Sequence, residues 1–290
     1  MRKVLIKAPA LSMSGYGEQA RFLLDSLKGR PGLDLYLVNI PWGKSNNISS
    51  NDEQASWIRS LAKKTMEYHQ TSPNPYYDVS IQVTIPNEFE KIANYDIGYT
   101  AGIECDRISP VWIEKSNTMD KLITISNHSR NVLVGTRYQV IDTSRKDASG
   151  EQEVVDELGI NIPVSVVNYS IRKNEVTHNF PLDIDPEFNF LSISQFGPRK
   201  NLQTLLRAFV KNFHDNPNVG LIVKTHMTNT STIDLARTKE IFKNFKREAP
   251  DRKCKVYLLH GELSEADLNA LYENSKVKAF VTTTHGEGFG

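Results

Sequence analysis

The chain has 290 residues, 39% of them hydrophobic and 24% charged, an ordinary globular composition long enough for two domains. Its net charge of +1 provides no global field for nucleic acid or an acidic membrane, so any anion site must be local. The only cysteines, Cys105 and Cys254, are far apart and lack metal-ligand spacing, which argues against a disulfide framework and for a reducing, cytoplasmic setting.

The first residues, Met1 to Lys7, hold a short apolar run broken by Lys7 and read as a first strand rather than a signal peptide. No apolar run approaches the ~18 residues of a membrane span. Val4 to Ala8 is a strand. Ala20, Leu23, Leu24 and Leu27 then recur at helical spacing. Leu33 to Asn39 is a second strand, and Trp57, Ile58, Leu61, Ala62 and Thr65 mark a longer helix. Val79 to Ile85, Asp96 to Tyr99 and Leu122 to Ile125 are further strands, followed by a helix from about Ser126 to Val134. The polar stretch Ile141 to Asp156 reads as a surface excursion or insertion, and Val164 to Val167 closes the first sheet.

The pattern restarts after a mixed-charge loop. Phe188 to Ser194 is a strand, and Leu202, Leu205, Leu206, Phe209, Val210 and Phe213 form the cleanest helical stripe in the chain. Val219 to Val223, a helix near Ile233 to Phe245, Val256 to Leu259, a helix near Glu265 to Tyr272 and a strand at Ala279 to Val281 complete it. Such alternation predicts an α/β protein with parallel sheets covered on both faces. Two runs predict two Rossmann-like domains, 1–175 and 186–290, the second with only about four strands against a mean of ~5–6. The last strand enters an acidic, glycine-rich loop, Thr283 to Gly290, where the chain stops. Ligands bind at such strand ends, so a fragment cut within an active-site loop is expected.

Three segments carry candidate chemistry. In Ser192 to Asn201, Arg199 and Lys200 stand just ahead of a strong helix, with Asn201 as its candidate N-cap. Two cations beside free helix N–H groups suit a diphosphate, though a solvated basic turn has the same sequence. Gly15 and Gly17, flanking Tyr16, allow close backbone approach at the first helix start. A plain tight turn is equally consistent, and Glu18 sits poorly beside a phosphate. The glycines do not form a dinucleotide fingerprint, because Ala20 stands where a third glycine belongs. Glu287 offers a carboxylate to sugar hydroxyls.

Together these segments resemble the GT-B glycosyltransferases, specifically the retaining group 1 (GT4-like) family. The matching segments are Phe190 to Ser194, Arg199-Lys200-Asn201 with Leu205-Leu206-Arg207-Ala208-Phe209, Val256 to Ser264 with Leu268 to Tyr272, and Glu287-Gly288-Phe289-Gly290, the opening of an E-x7-E motif. Ile97 to Glu104, Asp106-Arg107 and Asp120 to Ser126 resemble an acceptor-domain pattern more loosely.

The resemblance implies transfer of a sugar from a nucleotide-sugar donor, such as a UDP- or GDP-sugar, to a glycan, lipid-linked or small-molecule hydroxyl. It implies no metal or other cofactor, no nucleic-acid partner, and room for peripheral membrane contact. Lys200 would stabilise the departing nucleoside diphosphate with Arg199 and Gln195 beside it. Glu287 would contact the transferred sugar, with Gly288, Phe289 and Gly290 lining its pocket. Gly15, Tyr16 and Gly17 would close on the donor from the other domain. Lys224, Thr225, His260, Gly261 and Leu263 would hold the nucleoside. Glu104 is the first-domain catalytic candidate, with His128 behind it, while Asp120 caps or orients the following strand.

Two departures bear on activity. Gln195 stands where the family commonly has arginine, and the second glutamate of the motif would lie past Gly290. Weak or absent activity of these 290 residues is therefore expected. A non-catalytic GT-B-like protein that binds a nucleotide sugar or glycan is the alternative. A nicotinamide oxidoreductase is disfavoured by the missing fingerprint.

Overall fold

The computed structural model describes residues 1–43, 45–49, 51–146, 149–150, 152–171, 176–228 and 230–287. By spatial contact the chain divides into two compact units, Met1–Ser170 and Ile171–Glu287.

The first unit runs β1 (Arg2–Ala8), α1 (Gly15–Leu27), β2 (Leu33–Asn39), α2 (Glu53–Thr71), β3 (Val79–Val83), β4 (Tyr95–Thr100), α3 (Pro110–Ser116), β5 (Lys121–Thr124), α4 (Asn127–Gly135), β6 (Arg137–Lys146), β7 (Gln152–Gly159) and β8 (Val164–Val166). Six of its strands form one parallel sheet in the order β2-β1-β3-β4-β5-β8. Period-two alternation splits β1 between two layers. Val4, Ile6 and Ala8 pack with Leu24 of α1 and Ile58 of α2, while Leu5 faces Tyr36 and Tyr77. Burial on both faces is what a parallel sheet requires. Helix starts are set by short polar caps: the Ser14, Asp52, Ser109 and Ser126 side chains each accept a backbone N–H.

Two features depart from the sequence reading. Helix α3 was not anticipated, because its seven residues are too short to show a helical period. The stretch expected to be a polar surface excursion carries an antiparallel hairpin, β6 paired with β7, for which no strands were expected. Its polar composition reflects exposure on both faces rather than lack of structure. Only Tyr138 and Leu158, at its base, pack into the unit's core, and Val140, Ile141, Val154 and Val155 stay exposed.

The second unit runs β9 (Phe188–Ile193), α5 (Leu202–Phe213), β10 (Val219–Lys224), α6 (Thr232–Glu248), β11 (Lys255–Leu259), α7 (Glu265–Tyr272) and β12 (Val277–Phe280). Its parallel sheet has the order β11-β10-β9-β12. The α5 stripe of Leu202, Leu205, Leu206, Phe209 and Val210 packs on Leu221, Val223 and Val256. Leu191 and Ile222 face the opposite layer with Leu271 of α7. The chain steps outward from β9 through β10 to β11, then returns to add β12 on the other side of β9. The loops leaving β9 and β12 therefore emerge side by side at the strands' carboxyl ends, the reversal point at which open α/β sheets bind ligands. Among the described residues, no helix is long and apolar enough to cross a membrane.

Leu221 is fully buried on the central strand β10. Leu221→Ala should lower unfolding stability by about 2–5 kcal/mol through lost burial and a residual cavity. Urea unfolding checks this, and a midpoint within error of wild type would contradict the packing described.

Candidate functional site

At the reversal point of the second sheet, the loop after β9 turns tightly. The Gly197 carbonyl accepts the N–H groups of both Lys200 and Asn201 at 3.1 Å. Asn201 is left-handed, with φ 50° and ψ 37°, and is the sole non-glycine residue with positive φ among the described residues. It occupies the N-cap position of α5, but its side chain makes no capping bond, so it acts through backbone conformation and not as the side-chain cap expected from sequence.

The loop after β12 is stitched to this corner. The His285 N–H donates to the Arg199 carbonyl at 2.9 Å. Thr283 Oγ1 donates to the Asn201 carbonyl at 2.9 Å, and Thr284 Oγ1 to the Arg199 carbonyl at 3.2 Å. The stitching sets Glu287 between two cations. Arg199 Nη1 lies 3.3 Å from Glu287 Oε2, and Lys200 Nζ bonds Oε1. The same Arg199 nitrogen donates to the Gly286 carbonyl at 2.5 Å. Burial pushes the Glu287 carboxyl upward, but Lys200 and Arg199 outweigh it and hold the group below the ordinary carboxylate range. Lys200, with 20% of its side chain exposed against 51% for Arg199, is less screened by solvent and contributes the stronger half of the grip.

Gln195 does not join these cations. Its amide donates to the Met227 carbonyl at 2.8 Å and fastens the β9 loop to the loop after β10. Lys224 Nζ donates to the Gly261 carbonyl at 3.0 Å. Burial pushes the Lys224 ammonium down, with Glu262 pulling part of the way back. Gly261 sits at φ +114°, a conformation that favours glycine. Thr225 donates its N–H to the Leu259 carbonyl at 3.0 Å, while its buried hydroxyl has no partner among the described residues. Leu263 packs with Leu271 and Ile222.

One organising residue escaped the sequence reading. The Asp234 carboxylate accepts the N–H of Met227 at 3.0 Å, the N–H of Thr228 at 2.7 Å and the Thr238 hydroxyl at 3.3 Å. It also pairs with His260 Nε2 at 2.8 Å, the two side chains being only 5% and 4% exposed. Asp234 thereby joins the loops that follow β10 and β11. Burial, then the charge of Lys224, pushes the neighbouring His226 imidazole down. The Ser231-x-x-Asp234 spacing marks a helix start, a usable signal for the cap, though nothing in it points to the remote His260.

In the first unit, Gly15 and Gly17 lie in the first turn of α1. The Gly17 N–H donates to Ser14 Oγ at 3.1 Å, and a Cβ on Gly17 would come within 2.1 Å of the Ser12 carbonyl oxygen. The need for glycine there is local packing. The Tyr16 hydroxyl lies 2.8 Å from Thr100 Oγ1 and accepts the Ala101 N–H at 3.1 Å, and burial pushes its phenol up. Its ring lies against Trp42, with centroids 4.3 Å apart. Glu18 is paired with Arg21 at 2.6 Å. Glu104 is exposed in the loop after β4, and His128 is exposed in the first turn of α4. Asp120 accepts the Asp96 N–H at 2.7 Å and so orients the start of β4. Gly288, Phe289 and Gly290 lie outside the described residues. Among those described, no group of three His, Cys, Asp or Glu side chains is arranged to hold a metal ion.

Topology decides which known structures the chain is like. HepE of Anabaena, solved in complex with UDP and glucose, superposes with a TM-score of 0.50 at 13% identity, over 100% of this chain and 76% of that one. OtsA in its apo structure gives a TM-score of 0.56 at 12% identity, over 100% of this chain and 80% of that one. The fold is GT-B. No protein-family model and no curated protein matches the sequence.

Asp234→Asn replaces one acceptor oxygen by an amide that cannot accept, so a backbone N–H or His260 loses its partner. Stability should fall by about 1–3 kcal/mol, and an unaltered urea midpoint would contradict the assignment. The Glu287 ion pairs have a signed pH dependence. A carboxyl depressed in the folded state contributes stability above the ordinary carboxyl pKa of about 4.3 and loses it as pH falls through the folded value. The stability gap between wild type and Glu287→Gln should therefore be full at neutral pH and close under acid. A gap that fails to narrow at any acid pH at which both proteins stay folded would show that charge is not its source.

Proposed function

We propose that the chain is a nucleotide-sugar-dependent glycosyltransferase of the retaining, GT4-like kind. It moves a sugar from a UDP- or GDP-sugar to a hydroxyl of a glycan, lipid-linked or small-molecule acceptor, without a metal, in the cytoplasm. The observation that carries this reading is the meeting of Arg199, Lys200 and Glu287 where the loops of β9 and β12 emerge together. Two cations in front of α5 suit a diphosphate, and a carboxylate beside them suits sugar hydroxyls. The likeness to HepE, solved with UDP-glucose at a TM-score of 0.51, supports the same donor class.

In this reading the bond between the anomeric carbon and the phosphate oxygen breaks, and the oxygen of an acceptor hydroxyl takes its place on the same face of the sugar, its proton passing to the leaving phosphate oxygen. Positive charge develops on the sugar ring and negative charge on the leaving diphosphate. Lys200 and Arg199 stabilise the latter by their positive charge. Glu287 positions the sugar. Lys224, Thr225, His260, Gly261 and Leu263 hold the nucleoside, with Asp234 keeping their two loops together. Glu104 is the acceptor-side candidate.

One observation favours a second reading. Gln195 brings no charge, and its amide is tied to Met227, so the site has one cation fewer than the family commonly uses. A protein that binds a nucleotide sugar without turning it over would tolerate that loss. Turnover assays with UDP- and GDP-sugars separate the two, since binding with neither transfer nor hydrolysis favours the second.

Lys200→Ala should weaken binding of UDP or GDP by about 1.5–3 kcal/mol, the range for a charged hydrogen bond. Isothermal titration calorimetry measures it. A dissociation constant equal to that of wild type would remove Lys200 from the site and leave the corner a solvated turn.

A further inference from the structure

Glu287 presents a difficulty for the function just proposed. Its carboxylate oxygens already take hydrogen bonds from Lys200 Nζ and Arg199 Nη1, the groups assigned to the donor's diphosphate. Nη1 is further committed to the Gly286 carbonyl. A phosphate oxygen arriving on either cation would lie within a few ångströms of a carboxylate of the same sign. Like charges at that distance repel strongly where solvent is partly excluded.

We infer that Glu287 is a specificity-determining residue: it competes with phosphate for Lys200 and Arg199, and so makes the site favour diphosphates that carry a sugar over bare ones. The inference rests on the donor-diphosphate reading of the Arg199–Lys200 corner. A bare diphosphate either shares the two cations with Glu287 or displaces it. A displaced Glu287 loses both partners, and it leaves a position in which just 31% of its side chain is exposed. A sugar attached to the diphosphate changes the balance, because its hydroxyls donate to the released carboxylate and replace the bonds lost. The penalty thus falls on every diphosphate, while only sugar-bearing ones offset it. In a transfer reaction this has a direction. The sugar nucleotide is held, and once the sugar departs Glu287 returns to the cations and helps to expel the nucleoside diphosphate.

The loops are built for such an exchange. Backbone and threonine bonds join residues 283–285 to Arg199 and Asn201 and do not involve the Glu287 carboxylate. The carboxylate can therefore leave the cations while the loop stays attached. The depressed Glu287 carboxyl agrees with a group held by cations in the absence of ligand.

The test compares wild type, Glu287→Gln and Lys200→Ala by calorimetry at one fixed low salt concentration, using inorganic pyrophosphate, UDP, GDP and UDP-glucose. Glutamine keeps the side chain's length and removes its charge. Expected for Glu287→Gln is binding of pyrophosphate and of UDP or GDP about tenfold tighter than wild type, equivalent to about 1.4 kcal/mol. The preference for UDP-glucose over UDP should shrink by a similar factor. Glu287→Gln binding the bare diphosphates equally or more weakly, while Lys200→Ala weakens them, would overturn the inference and leave the donor site standing. No effect of Lys200→Ala, or no binding of any of the four ligands by wild type, would overturn the donor-site reading and this inference with it. Should the glutamine variant fail to fold, the Glu287 side-chain carboxyl ¹³C resonance of the wild-type protein reports the same event. Saturating pyrophosphate should move its titration upward, and an unmoved titration would show that the carboxylate never leaves its partners.

Discussion

A single carboxylate gripped by two cations is the constraint around which the second unit is organised. Its worth to stability is small, because partly exposed ion pairs gain little over their hydrated components. Its value is positional. Placing Glu287 on Arg199 and Lys200 requires the sheet to reverse direction at β9, so that two strands far apart in the chain end side by side. The turn after β9 must bend through a left-handed residue, and the hydroxyls of Thr283 and Thr284 must reach back to the opposing carbonyls. Each requirement is met by a different class of interaction: sheet pairing, backbone conformation and side-chain hydrogen bonding.

Much of this fold was legible in the amino-acid sequence, for identifiable reasons. Strands buried on both faces must be continuous apolar runs, and β2 and α7 have the limits expected of them. Serine side chains cap α1, α4 and α6, a local signal of helix starts that sequence carries. Two elements were hidden by the same logic. Helix α3 buries only Ile113 and Ser116, too few positions to define a period. The β6–β7 hairpin buries little of either face, so no hydrophobic alternation announced it.

The candidate site was legible in part. Arg199, Lys200 and Glu287 could each be selected by type and by position after a strand, yet residues 87 apart in the chain can be joined only by knowing the strand order. Asp234 was hidden for a related reason, since its helix-cap role is local whereas its bond to His260 depends on β10 and β11 being neighbours. Gln195 and Tyr16, which the resemblance assigns to the donor, bond through their polar atoms to Met227, Thr100 and Ala101, contacts that sequence does not reveal. Likeness to known structures at 12–13% identity is consistent with this division, because topology depends on apolar pattern and site chemistry on a few polar residues.

The left-handed backbone of Asn201 carries an evolutionary implication. A residue with a Cβ enters that region at an energetic cost, and asparagine and glycine tolerate it best. The position directly after Lys200 thereby favours glycine, asparagine and aspartate through backbone stereochemistry, with no ligand contact needed. A branched side chain at this position would strain the turn that carries Arg199 and Lys200 while leaving every charged residue of the corner unchanged.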